Sequence, residues 1–216
     1  VSTGGTARAL AAVGLPVIGV SGVTGFPEMM DGRVKTLHAK IHGGTHARGH
    51  RPDDLAAHAT QGISTIDLVV VNLYPFAAAA AKRDIAFDHL IEEVDIGGPS
   101  MVRAAAKNFR DVLIVVEPED YDRVLAALAQ PGGPDLALRF DLARRAIAHT
   151  AAYDQTITST LREFNVDAQG DFHRADPGGQ LLPDRWSPIL TKIRDLRYGE
   201  NPHQPGAWYR EGDRAF

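Results

Sequence analysis

Three apolar runs rich in β-branched residues constrain this chain more than any other feature: "LPVIGVSG" at 15–22, "IDLVVVNLYPF" at 66–76 and "DVLIVVEP" at 111–118. Runs of this length without polar alternation read as strands covered on both faces, the pattern of a parallel sheet. Helical patterns lie between and around them, at 6–13, 51–62 with Gly62 as its stop, 86–94 and 99–108. Strands alternating with helices imply right-handed crossovers and an α/β sandwich. A long helical stretch follows from about 136 to 164, and the Gly-, Pro- and Asp-rich residues 165–186 read as a loop or extended tail.

In such folds ligands gather at the carboxyl ends of the strands, which directs attention to the residues after each run. After the first come Arg33, Lys35, Thr36 and His38, donors concentrated in one segment that suits an anion or a polar base, or equally a solvated basic loop. The second delivers Asn72 and Tyr74, an amide and a phenol able to bond a planar heterocycle or a developing oxyanion, or merely to finish a strand. "STGGTA" at 2–7 sets Thr3, Gly5 and Thr6 at a turn into a helix, where open N–H groups and a helix dipole favour phosphate; a threonine cap accounts for the same residues.

The string "DIGGPSMVRAAAKN" at 95–108 places Asp95 just ahead of a Gly-Gly-Pro helix start, with Pro99 expected at the first helical position and Ser100, Arg103 and Lys107 on one helical face. His38, His42, His46 and His50 recur every fourth residue, a metal ladder on a continuous helix, but Gly43, Gly44 and Gly49 are expected to break that helix, so no metal site is assigned.

Composition narrows the function classes. The 216 residues are 44% hydrophobic with net charge −4, which provides a core but no basic field for a nucleic-acid backbone. There is no cysteine, and no run is long enough to span a membrane, so a reducing, cytoplasmic setting is expected. The opening "VSTGGTARAL" has no initiator methionine and reads as a chain entered partway through a fold.

Taken together, "STGGTA", "SGVTGFPEMMDGRVKTLH", "KIHGG", "IDLVVVNLYPF", "DIGGPSMVRAAAKN" and "LRYGENPHQ" resemble, in order, the inosine monophosphate cyclohydrolase module of the bifunctional purine-biosynthesis enzyme that also carries aminoimidazole-carboxamide ribotide transformylase. The resemblance implies a methylglyoxal-synthase-like three-layer α/β sandwich with a mainly parallel sheet at 1–118, helical and extended remainder at 119–195, and the truncated start of the transformylase module at 196–216. It implies dehydrative ring closure of formylated aminoimidazole-carboxamide ribotide. Asp95 and Lys107 match the family's acid/base pair, and Lys35 and Tyr74 its catalytic partners. Thr3, Gly5 and Thr6 fall in the phosphate site, and Arg33, Thr36, Asn72, Ile96 and Gly97 where the family contacts the nucleotide.

The resemblance further implies a homodimer, a purine nucleotide as substrate, and no cofactor for ring closure. 10-Formyltetrahydrofolate belongs to the transformylase, whose substrate contacts would include Arg197 and Tyr198 but whose catalytic Lys-His pair does not occur in these residues. The family's leading strand, its Ser/Asp/Lys phosphate loop and a helix are expected ahead of Val1, leaving an inactive fragment as one alternative. Ala39 stands where the family has Pro and is expected to loosen a loop. The same fold also serves nucleotide-binding regulatory modules and methylglyoxal synthase. The joint presence of Asp95, Lys107 and Tyr74 argues against the first, and the nucleotide-contacting segments argue against the second.

Overall fold

The computed structural model describes residues 1–175 and 190–211. The chain forms two compact units, Val1–Arg162 and Glu163–Phe216. In the first, helices α1 (Gly4–Ala12), α2 (Val20–Thr24), α3 (Ala39–His46) and α4 (Pro52–Gln61) precede strand β1 (Leu68–Val70). Helices α5 (Phe76–Ala80), α6 (Phe87–Glu92) and α7 (Gly97–Lys107) lead to strand β2 (Leu113–Val115), then α8 (Tyr121–Leu128) and the long α9 (Leu136–Leu161).

β1 and β2 pair in parallel, Leu68 opposite Leu113 and Val70 opposite Val115. β2 buries both faces, as an uninterrupted apolar run requires. Ile114, with flanking Val112 and Val116, packs into a cluster with Val102, Ala105 and Ala106 of α7 and Ala143 and Ala146 of α9. Leu113 and Val115 face the other way, onto Val124 of α8 and Leu142 of α9. Helix, strand and helix thus form three layers about β2. β1 is covered on one face: Val69 is buried, while Leu68 and Val70 are 39% and 49% exposed.

The run at 15–22 departs from the strand expected there. Its ladder has one rung, a parallel bridge between Ser2 and Gly19, in which the Ser2 N–H donates to the Ile18 carbonyl and the Val20 N–H to the Ser2 carbonyl. Past that rung Thr3 caps α1 and the chain turns into α2 at Val20.

Two expectations about the segment at 38–46 are also corrected. α3 runs straight through Gly43 and Gly44, because the segment at 63–66 crosses this helix so closely that a Cβ on Gly43 would sit 3.1 Å from Ile63 and one on Gly44 would overlap the Ser64 carbonyl. The Ile66 N–H donates to the Gly44 carbonyl at that crossing. Ala39 is the first residue of α3, capped by the His38 ring, which accepts from the Lys40 N–H, so it belongs to a helix start rather than a loop. α4 ends at left-handed Gly62 as expected.

The second unit holds an antiparallel pair, β3 (Phe164–Val166) and β4 (Phe172–Arg174), and a hairpin of β5 (Leu190–Leu196) and β6 (Gly206–Glu211). The stretch from 165, expected to be a loop or extended tail, begins with a short extended hairpin, and its residues 176–186 lie outside the described residues.

Candidate active site

Helix α7 organises the site. It begins two residues earlier than Pro99 predicts, with Gly97 and Gly98 inside its first turn and Ile96 as N-cap. The Asp95 carboxylate supplies the cap that Ile96 cannot: Oδ1 accepts from the Gly98 N–H at 2.8 Å. Both glycines are required by close approach. A Cβ on Gly97 would lie 2.6 Å from Thr36 Oγ1; one on Gly98 would overlap Asp95 Oδ2 and sit 2.9 Å from Leu73. Three separate segments, carrying Thr36, Leu73 and Asp95, therefore meet at the positive end of one helix. Ile96, 60% exposed, marks the open side.

Lys35 folds over Gly32, its ammonium 3.0 Å from Glu28 Oε1, on a tight turn closed by a bridge between Met29 and Val34. Lys35, Glu28, Phe26 and Thr3 border a cleft of about 190 Å³ that also takes in Gly4 and Gly19. Thr3, the N-cap of α1, lines this cleft and makes no side-chain cap bond, and Gly5 and Thr6 follow in the exposed first turn. Lys35 thus stands between the α1 start and, through neighbouring Thr36, the α7 start.

Arg33 and Asn72 are engaged. The Arg33 guanidinium forks onto both oxygens of Glu92, an exposed pair that holds the Glu92 carboxyl below its usual range by hydrogen bonding first and charge second. Asn72 donates through Nδ2 to the Val116 carbonyl at 3.1 Å and accepts from the Tyr121 hydroxyl at 3.1 Å, which fixes its amide across the ends of β1 and β2. Tyr74 is 48% exposed just beyond.

Lys107 is not brought to this cluster. It closes α7 at the opposite end from Asp95, and eleven residues of helix separate the two by roughly 15 Å. There it borders a second cleft, about 470 Å³, with Ser100, Arg103, His42, His46 and Ile147. Burial, and secondarily the nearby His46, push the His42 ring below its ordinary pKa. Among the described residues no group of His, Asp and Glu is arranged to hold a metal ion. Arg197 and Tyr198 lie in the second unit, at the end of β5.

One residue at the site escaped the sequence reading. Tyr153 of α9 accepts the Asp95 N–H at 2.8 Å and donates to the Glu93 carbonyl at 3.3 Å. The spacing of Arg145, His149 and Tyr153, one turn apart, is the signal that could have found it: Arg145 and His149 meet Glu117 just past β2, and Tyr153 continues the same face.

Residues 1–100 match the MGS-like domain model and residues 105–215 the AICARFT/IMPCHase bienzyme model. The chain belongs to the AICARFT/IMPCHase bienzyme family. The parallel β1–β2 pair with helices on both faces of β2 is the MGS-like fold, and membership of the bienzyme family supports a role in purine biosynthesis. The solved structure titled "Crystal structure of ForH" is similar, 38% identical over 74% of this chain and 83% of that one, with a TM-score of 0.62. No helix among the described residues of this family member is long and apolar enough to cross a membrane.

Proposed function

We propose that the chain is an inosine monophosphate cyclohydrolase, closing the ring of 5-formamidoimidazole-4-carboxamide ribotide with loss of water. The observation that carries this reading is the meeting of Thr36, Asp95 and the Asn72–Tyr74 strand end at the start of α7, in a chain of the bienzyme family.

The chemistry asks for those types. The carboxamide nitrogen is a weak nucleophile that must lose a proton as its bond to the formyl carbon forms, and the formyl oxygen gains charge, takes protons and departs as water. Asp95, with Oδ1 held by the Gly98 N–H, keeps Oδ2 for the amide proton. Lys35 and Tyr74 donate toward the developing oxyanion. Thr3, Gly5 and Thr6 take the phosphate at the α1 start, where helix N–H groups point outward. Thr36, Asn72 and Gly97 border the base, and Arg33 reaches it once released from Glu92. Ring closure is intramolecular, so orientation supplies much of the acceleration and this reading needs no cofactor. Lys107 stands apart from this cluster, in the cleft it borders with Arg103 and His42, and the acid/base role that the family resemblance gives it is what the Lys107→Ala variant tests.

The test is conversion of the formylated ribotide to inosine monophosphate, followed by absorbance and product chromatography, in wild type, Lys35→Ala and Lys107→Ala. The expected outcome is turnover in wild type and a loss of about a hundredfold in Lys35→Ala. Wild-type turnover retained in both variants overturns the assignment of these lysines, and a folded, inactive wild type overturns the proposed activity.

A further inference from the structure

We infer that Tyr153 is a positioning residue for Asp95, an inference that rests on the cyclohydrolase reading above. The Asp95 segment joins α6 to α7 and has few anchors of its own: the Asp95 side chain is tied forward to Gly98, while its backbone N–H points back toward α9. Tyr153 takes that N–H at 2.8 Å and passes its own hydroxyl hydrogen to the Glu93 carbonyl at 3.3 Å, so one phenol uses both its accepting and its donating capacity on the loop that carries the carboxylate.

The ring of the same tyrosine meets Phe76 edge to face, centroids 6.4 Å apart and planes at 72°. Phe76 is 1% exposed and stands two residues after Tyr74. Tyr153 therefore joins the two segments bearing Asp95 and Tyr74 through one rigid side chain on the long helix. Burial pushes the phenol's pKa up. Two anchors on one residue, backbone and carboxylate, fix where Oδ2 stands. Losing the backbone anchor leaves the carboxylate free to swing, and displacement of about an ångström is enough to cost catalysis heavily.

Tyr153→Phe tests this, since it removes the hydroxyl and keeps the ring on Phe76. The expected result is a kcat lowered about tenfold with KM within about twofold and a thermal midpoint near that of wild type. The Asp95 amide, followed by hydrogen exchange in the full chain, is expected to exchange about tenfold faster. In an Asp95→Ala background, Tyr153→Phe is expected to lower the rate no further, because its effect passes through Asp95.

A Tyr153→Phe enzyme with wild-type kcat, or one whose loss adds fully to that of Asp95→Ala, overturns the positioning role and leaves the cyclohydrolase reading intact. If wild type itself fails to close the ring, that reading falls, and with it any catalytic consequence of the anchor. Asp95 amide exchange unchanged in Tyr153→Phe overturns the anchor itself, whatever the activity.

Discussion

At Gly98 an added methyl group has an unusual sign. In an ordinary helix, replacing glycine by alanine stabilises by up to about 1 kcal/mol. Here the new Cβ would overlap Asp95 Oδ2 and press on Leu73 at 2.9 Å, so Gly98→Ala is expected to destabilise by about 1–3 kcal/mol and to slow ring closure at least tenfold or so. Urea denaturation and the absorbance assay check the two halves. Glu92 makes the opposite kind of prediction. Its pair with Arg33 is solvent-exposed, so Glu92→Gln leaves the thermal midpoint unmoved, but it frees the guanidinium for the nucleotide and is expected to lower KM about two- to fivefold at low salt. Asp95 and its glycines were legible in the sequence because an acid before Gly-Gly at a helix start has few structural solutions. Tyr153 was not, because a tyrosine in a 26-residue helix carries no local sign of what lies across from it.

Between elements, Asn108 does the joining. This buried side chain donates both amide hydrogens at the end of α3, to the Thr45 carbonyl at 3.0 Å and to the carbonyl of Ala47, its C-cap, at 2.7 Å. Asn108→Ala orphans both acceptors and is expected to destabilise by about 1–3 kcal/mol, read from denaturant midpoints. On α3 itself, His42 sets a pH dependence. Its folded pKa lies below the ordinary value of 6.5, so the native state resists a proton that the unfolded chain accepts. Its contribution to stability is whole above about 6.5 and is lost as pH falls through the folded pKa. The thermal midpoint is therefore expected to drop less between pH 7.5 and 5 in His42→Gln than in wild type. A parallel drop in both would contradict this. The helices α4, α6, α7 and α9 were readable from periodicity and end signals. The run at 15–22 was not, because strand formation depends on a partner, and among the described residues it pairs at one rung, Ser2 with Gly19. Nor was α3, whose glycines serve a crossing that only the folded chain reveals.

On the scale of the molecule, the fold divides at Arg162, and the first unit contains Asp95, Lys35, Tyr74, Asn72 and Thr3 together with the long helix whose Tyr153 anchors the Asp95 segment. What the sequence conveyed at this scale was the alternation of strands and helices. What it could not convey was distance: Asp95 and Lys107 stand in one string, yet a helix rise of roughly 15 Å keeps them apart. The central claim is that ring closure happens at the α7 start, on the Asp95 carboxylate. The measurement that tests it most directly is the single-turnover rate of inosine monophosphate formation in wild type beside Asp95→Asn, a change that keeps shape and removes the base. A rate lowered about a hundredfold or more with nucleotide affinity retained is the predicted result. An Asp95→Asn protein that closes the ring at the wild-type rate would contradict the account.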